Sequence, residues 1–129
     1  MNPQESAFGP LIDSYSRAQA IEDGQLIDIS TLAREAGFLW PVAVTAALWH
    51  GYIVPPAILG GQSWQGRAWD MLNVLRLAIR RAADTSELAF TVLFQMDEVK
   101  PLERVILTSH CGPGDGMEPV ITIILPGEE

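Results

Sequence analysis

The stretch Ser63–Ala83 reads SWQGRAWDMLNVLRLAIRRAA, and its apolar residues recur at helical spacing. Residues three and four positions apart share one face of a helix, so this stretch is predicted to bury a broad face against a sheet. Polar residues such as Arg76 and Arg80 fall on the other side. The predicted buried arc consists of Trp69, Met71, Leu72, Val74, Leu75, Ala78, Ile79 and Ala82.

Three candidate strands follow this helix. Apolar and polar residues alternate over Leu88–Met96, Arg104–Ser109 and Val120–Leu125, and this two-residue period is typical of strands. The segments between them are short, which favours antiparallel neighbours. The C-terminal part is therefore predicted to be an antiparallel meander of three strands, with the long helix across one face.

The N-terminal part is predicted to contain short elements. Ser16 and Gln19 have the spacing of a capping box, which indicates a helix over about Arg17–Asp23. The alternation within Gln25–Ile29 suggests a short strand or an extended link. As a strand, it would be a fourth strand of the sheet. A second short helix is expected to end at Ala36.

The segment Val42–His50 is predicted to form a third helix. Pro41 suits the first turn of a helix, where its missing N–H costs nothing, and Gly51 is expected to end the helix. Because the segment is apolar on most sides, the helix should be buried. The main internal loop follows at Pro55–Gln62, which contains Pro-Pro and Gly-Gly.

Together these elements predict one α+β domain over residues 1–129, with residues 1–10 as a loose N-terminal arm. Short helices come first, followed by the long amphipathic helix and the meander. Nearly half of the 129 residues are apolar and 19% are charged, which is typical of a chain with a folded core.

The composition narrows the functional classes. The chain has a formal net charge of −8, which disfavours direct binding to DNA or RNA phosphates. An acidic surface suits solubility, a basic protein partner or nucleic-acid mimicry. Cys111 is the single cysteine, which fits a reducing cytoplasm. No signal peptide is expected, and no apolar segment approaches the roughly 20 residues of a membrane span.

Four segments in the same order resemble the DUF6573 family, a group of small uncharacterised proteins of bacteria, phages and plasmids. The segments are YSRAQAIEDGQLIDIS at Tyr15–Ser30, AREAGFLWPVAVTAALW at Ala33–Trp49, the W-D-x-L pattern in GRAWDMLNVLRLAIRR, and CGPGDGMEPVITIILP at Cys111–Pro126. The resemblance implies no activity or cofactor. It implies the setting of a small accessory protein of a mobile element, and such elements commonly encode inhibitors of host defence.

No set of residues has the spacing of a metal or nucleophile site, so neither a cofactor, a metal nor a catalytic residue is predicted. His110 and Cys111 are adjacent and would point to opposite sides of an extended chain, and the glycines around them suggest a tight turn. A small ligand or anion site remains an alternative. Its candidate residues are Tyr15, Arg17, Arg76, Arg80, His110 and Asp115.

The tryptophans suggest a different kind of site. Trp49 and Trp69 lie on apolar helix faces and are predicted to belong to the core. Aromatic residues in or near loops would instead be good interface anchors. The candidate interface residues are Trp40, Tyr52, Ile53, Ile58, Leu59 and Trp64.

The leading hypothesis is therefore a non-enzymatic cytoplasmic binding protein that docks a protein partner or a second copy of itself. In its sharpest form it inhibits a host defence complex, in the manner of an anti-CRISPR protein. The alternative is a small enzyme or nucleotide-binding protein that uses the candidate ligand residues. A third hypothesis is a structural subunit that assembles through an exposed strand edge at Val120–Leu125.

Overall fold

A computed structural model describes residues 15–82 and 84–128 of the chain. The loose arm predicted for residues 1–10 lies outside the described residues. The fold is α+β, as predicted. In chain order the elements are α1 (Arg17–Glu22), β1 (Leu26–Asp28), α2 (Ser30–Glu35), β2 (Val42–Thr45), α3 (Ala46–Leu48) with a π-helical turn (Trp49–Ile53), α4 (Trp64–Arg81), β3 (Glu87–Phe94), β4 (Glu103–Pro113) and β5 (Pro119–Ile124).

The five strands form one mixed sheet in the order β1-β2-β5-β4-β3. The predicted meander is confirmed, because β4 pairs antiparallel with both β3 and β5. A parallel pairing between β2 and β5 extends it, and β1 adds an antiparallel strand at the end. The fourth short strand thus joins the meander through a strand that was not predicted.

Helix α4 packs on the antiparallel part of the sheet. It begins where the Ser63 hydroxyl accepts a hydrogen bond from the Gly66 N–H at 3.1 Å. Its buried face is narrower than the predicted arc, since Trp69 is 39% exposed and Ile79 is 44% exposed. The prediction that Trp69 belongs to the core is therefore wrong. The residues that α4 buries are Arg67, Ala68, Met71, Leu72 and Leu75.

The predicted helix over Val42–His50 is wrong in its first half. Val42–Thr45 forms β2, an interior strand paired with β1 on one side and β5 on the other. Val42, Ala43 and Val44 are fully buried. A strand that is covered on both faces has no alternation, so its apolar run looks the same as that of a buried helix.

The helical part of this segment begins only after Thr45, whose hydroxyl accepts a hydrogen bond from the Leu48 N–H at 3.3 Å. Gly51 does not end it. The π-helical turn continues through Gly51 to Ile53, and the Val54 N–H bonds the Trp49 carbonyl at 2.9 Å. The wider turn brings the Tyr52 carbonyl to the site described below.

The two faces of the sheet are covered differently. Helix α4 and the core lie against the face that carries Phe90, Val92 and Leu107. Thr122 pairs with His110 on the opposite face, where the Arg17 side chain of α1 reaches it. Among the described residues, no helix is long and apolar enough to cross a membrane.

Candidate functional site

Arg67 is a buried cation on α4, with 6% of its surface exposed. Its Nε donates to the Tyr52 carbonyl at 2.8 Å, and its Nη1 donates to the Gln95 carbonyl at 2.9 Å and to Gln62 Oε1 at 2.6 Å. Its Nη2 contacts Met96 Sδ at 3.2 Å. The guanidinium carbon lies 5.3 Å from the centre of the Phe94 ring.

These contacts join three separate segments to α4: the π-helical turn through Tyr52, the following loop through Gln62, and the end of β3 through Gln95. All of the oxygen acceptors are uncharged. Burial lowers the pKa of Arg67 because the guanidinium loses hydration. Arg67 therefore braces the region with directed hydrogen bonds rather than with an ion pair.

Aromatic pairs complete the same region. The Tyr52 ring lies 5.3 Å from that of Phe94, and its hydroxyl donates to Glu103 Oε2 at 2.8 Å. This hydrogen bond to a carboxylate, aided by burial and by the negative charge, raises the pKa of Tyr52. The Trp49 and Trp64 rings lie 5.0 Å apart. The loop between the π-helical turn and α4 is thus anchored at both ends.

A cleft of about 700 Å³ opens beside this braced region, between the N-terminal half of α4, the end of the loop and the end of β3. We call it the α4–β3 cleft. Two large apolar side chains in its wall are well exposed, Trp69 at 39% and Leu102 at 54%. Leu93 borders the cleft, but it alternates with the core-facing Val92 and Phe94, so its side chain points to the other face of the sheet. Polar groups in the wall are the side chains of Gln62, Ser63, Gln65, Asp70 and Gln95.

The predicted interface residues fall into three groups. Trp40 and Ile58 are exposed, at 45% and 58%, while Tyr52 and Trp64 are half-buried in the contacts described above. Ile53 is fully buried and Leu59 is 7% exposed, so neither belongs to an exposed patch. Ile53 is the last residue of the π-helical turn and packs in the core, and Leu59 is buried in a turn where its N–H bonds the Pro56 carbonyl at 3.0 Å.

Three of the predicted ligand residues meet at the start of α1. The Asp115 carboxylate accepts hydrogen bonds from the backbone N–H groups of Arg17, at 2.8 Å, and Ala18, at 3.0 Å. The Arg17 guanidinium donates to Thr122 Oγ1 at 2.7 Å and to the Ile121 carbonyl at 3.0 Å. The Tyr15 hydroxyl donates to Asp23 at 3.1 Å. This junction joins α1 to the β4–β5 turn and to β5.

The electrostatics of this junction favour a structural role. Burial lowers the pKa of Arg17, while the nearby carboxylates of Asp28, Asp115 and Glu118 oppose that shift. The two backbone N–H donors lower the pKa of Asp115. Since three carboxylates surround one guanidinium, the junction is not electropositive and does not suit an anion.

Of the remaining ligand candidates, Arg76 and Arg80 lie on the other side of the sheet, while His110 is next to Thr122, which Arg17 bonds. Arg76 lies against the backbone of Gly37, which has φ of +103°. A Cβ atom added to Gly37 would lie 3.1 Å from Arg76 Nε. Arg80 is exposed on α4, on the other side of the sheet from Arg17. His110 is exposed on β4, beside Thr122 and Glu87 on the neighbouring strands. The sheet therefore separates the six residues into two groups.

The glycine-rich turn predicted from His110 onward is shorter in the structure than in the prediction. Residues up to Pro113 belong to β4, and the Gly114 N–H bonds the Glu118 carbonyl to close the hairpin. In the part of the chain that the structure describes, no group of three or more His, Cys, Asp and Glu residues is placed to hold a metal ion.

The sequence analysis missed the main residues of the α4–β3 cleft. Arg67 was not singled out from the sequence, although it stands three residues after Trp64 and four before Met71, at the edge of the buried arc. That spacing was the signal in the sequence that the Arg67 side chain borders the buried face of α4. Leu102 carried no comparable signal, because it lies between β3 and β4 and borders Trp69 only in the folded structure.

Comparison with known proteins supports the family resemblance. The model of a family of unknown function, DUF6573, matches residues 5–129, nearly the whole chain. No curated protein and no solved structure matches the chain. The chain therefore belongs to the DUF6573 family.

Proposed function

We propose that this chain is a non-enzymatic cytoplasmic protein that binds a protein partner at the α4–β3 cleft. The observation that carries the proposal is that two exposed apolar side chains, Trp69 and Leu102, line one cleft. Exposed apolar surface in a concave site favours the burial of a partner's side chain.

The arrangement of the cleft favours binding over chemistry. Its ionisable lining residues are Asp70 and Arg67, and Arg67 is already bonded to three oxygen acceptors. The glutamine side chains at the rim offer both donors and acceptors to a partner's backbone. The bracing of the walls reduces the ordering cost of association. A peptide segment with an apolar anchor and neighbouring polar groups fits this chemistry.

The sharpest form of the proposal is an inhibitor of a host defence complex, of the anti-CRISPR kind, encoded by a phage or plasmid. It draws on the mobile-element setting that the family resemblance implies, and on the net charge of −8, which suits a basic partner surface. The proposed binding at the cleft is the same whether the partner is a host defence complex or another cytoplasmic protein.

The test uses Trp69→Ala and a matched control, Ile79→Ala. Both side chains are on α4 with similar exposure, 39% and 44%, but Ile79 does not line the cleft. Immobilised wild-type chain should capture a protein from host lysate, and the purified partner should bind Trp69→Ala at least about tenfold more weakly by calorimetry. Ile79→Ala should bind like the wild type. Equal binding by both variants would place recognition elsewhere.

A further inference from the structure

Strand β3 forms one end of the sheet, and β4 is its only strand neighbour within residues 15–82 and 84–128. The Cys111 N–H donates to the Ser86 carbonyl at 2.8 Å, and Leu88 lies opposite Ser109. Backbone groups of alternate residues point to the same side of a strand, so even-numbered residues of β3 face β4. The outward-facing backbone groups belong to Glu87, Ala89, Thr91 and Leu93.

This edge has few of the features that usually protect a free strand. It is eight residues long, ELAFTVLF, and Glu87 is its only charged residue. It contains no proline and no lysine, which are common means of blocking strand addition. The opposite edge strand, β1, has three residues and ends in the charged Asp28. An edge as long and apolar as β3 is suited to pairing with another strand.

Helix α4 provides a second contact surface along the same edge. Val74, Leu77 and Arg81 line a groove of about 500 Å³ with residues 88–91 of β3, and Leu77 is 50% exposed. Asp70, two turns before Leu77, lies beside residues 92–94 of β3. The side of α4 that borders the edge therefore carries an acidic residue at one end, apolar residues in the middle and a basic residue at the other end.

We call this side of α4, with Asp70, Val74, Leu77 and Arg81, the Asp70–Arg81 stripe. The stripe is complementary to itself when two copies of the chain meet antiparallel. A two-fold axis near Phe90 sets residue 89 of one copy opposite residue 91 of the other, so the outward backbone groups meet each other. The same axis brings Asp70 towards the partner's Arg81 and Leu77 towards the partner's Val74. Opposite charges and apolar side chains are then matched twice, once on each side of the axis.

We propose that β3 pairs antiparallel with β3 of a second copy of this chain, joining two five-stranded sheets into one of ten strands. The inference goes beyond the proposed function, because it concerns backbone pairing between two copies along β3. Asp70 also lines the α4–β3 cleft, whereas Thr91 and Arg81 do not, so Thr91→Pro and Arg81→Asp test the pairing separately from the cleft. The structural-subunit hypothesis had placed such an edge at Val120–Leu125. That location is wrong, since β5 lies between β2 and β4.

The first test is Thr91→Pro, with Thr91→Val as the matched control. Proline at position 91 removes an N–H that faces outward and leaves the hydrogen bonds to β4 in place. In sedimentation equilibrium the wild type and Thr91→Val should dimerise, and Thr91→Pro should raise the dimer Kd at least about 100-fold. A wild-type chain that is monomeric up to about 1 mM, or a dimer that survives Thr91→Pro, would overturn the proposal.

The second test does not depend on how well Thr91→Pro folds. Asp70→Arg and Arg81→Asp should each weaken the dimer by about tenfold, because each puts like charges together across the interface. The double variant, D70R with R81D, should return the Kd to within about threefold of the wild type. Both sites are exposed in the single chain, so folding should be unaffected. Failure of the double variant to recover would contradict the charge pairing.

Hydrogen exchange identifies what covers the edge. The Thr91 amide should exchange rapidly at concentrations where the chain is monomeric and slowly where it is dimeric. Protection of Thr91 in the monomer would show that another part of the chain covers β3, and the proposed pairing would then be wrong.

Discussion

Two arginines join distant parts of this molecule, and they do so in contrasting surroundings. Arg67 lies in the interior, donates to three uncharged oxygens and packs on an aromatic ring. Arg17 is half-buried on the other face of the sheet and lies near the carboxylates of Asp28, Asp115 and Glu118. Both connect a helix to a strand and a turn, yet the charges around them differ.

The difference shows how each junction obtains its stability. A buried guanidinium without a carboxylate remains charged because its hydrogen bonds replace lost hydration, and removing it leaves buried carbonyls without donors. Near the surface, water supplies part of that hydration, so each hydrogen bond adds less. The hydrogen bonds of Arg67 should therefore be stiffer and should not depend on acid pH, because their oxygen acceptors are uncharged, while the Arg17 junction should weaken when its carboxylates are protonated.

The largest expected effect comes from Arg67→Met, which keeps the length of the side chain but removes its donors. The carbonyls of Tyr52 and Gln95 would lose their partner inside the protein, at a cost of about 3–5 kcal/mol in the free energy of unfolding. Urea denaturation followed by far-UV circular dichroism measures this loss.

The matched control is Arg80→Met on the same helix, where the side chain is exposed. It should change the free energy of unfolding by no more than about 0.5 kcal/mol. If the two variants lose similar stability, Arg67 does not brace the region as described.

A smaller effect is expected for Arg17→Met. It removes the hydrogen bonds to Thr122 Oγ1 and the Ile121 carbonyl, but Arg17 is itself only half-buried, so water can replace part of its hydrogen bonding. The free energy of unfolding should fall by about 1–2 kcal/mol in the same urea experiment. A loss as large as that of Arg67→Met would show that the surroundings of the two arginines do not set their contributions.

The smallest effect concerns pH. The folded-state pKa of Asp115 lies below its ordinary value of 3.8, because two backbone N–H groups donate to its carboxylate. A carboxyl group with a lowered pKa stabilises the fold above its unfolded pKa, and this stabilisation is lost as the pH falls through the folded pKa. Between about pH 5 and pH 3, the wild type should therefore lose more stability than Asp115→Asn.

Asp97 provides an internal control for that measurement. Its pKa is also lowered, by hydrogen bonds from the backbone N–H groups of Val99 and Lys100. Asp97 is present in both proteins, so its contribution cancels in the difference between them. Parallel pH profiles for the wild type and Asp115→Asn would refute the role assigned to Asp115.

Much of the fold was predictable because it depends on local patterns. The capping box at the start of α1 is present, with the Ser16 hydroxyl accepting from the Gln19 N–H at 3.0 Å. The periodicities of α4 and of the three C-terminal strands correctly predicted their types, with bounds shifted by a few residues at most of their ends. In each case the signal was contained within the element itself.

The candidate site was less predictable, because its members come from different elements. Tyr52, Gln62 and Gln95 meet at Arg67 only after the sheet has formed. Leu102 lies between β3 and β4, and it borders the cleft with Trp69 only once α4 has packed on the sheet. Ile53 and Leu59 were predicted to form part of an interface, and both are buried, Ile53 in the core at the end of the π-helical turn and Leu59 within the loop.

The amino-acid sequence by itself determined the family, the α+β class, the long helix and the antiparallel meander, because spacing and capping act over a few neighbouring residues. Tertiary structure alone decided that Val42–Thr45 is a strand, since pairing with β1 and β5 satisfies its backbone while both of its faces are buried. It also decided that Arg67 is interior and that β3 ends the sheet. These outcomes depend on contacts between residues far apart in the chain, which local periodicity does not encode.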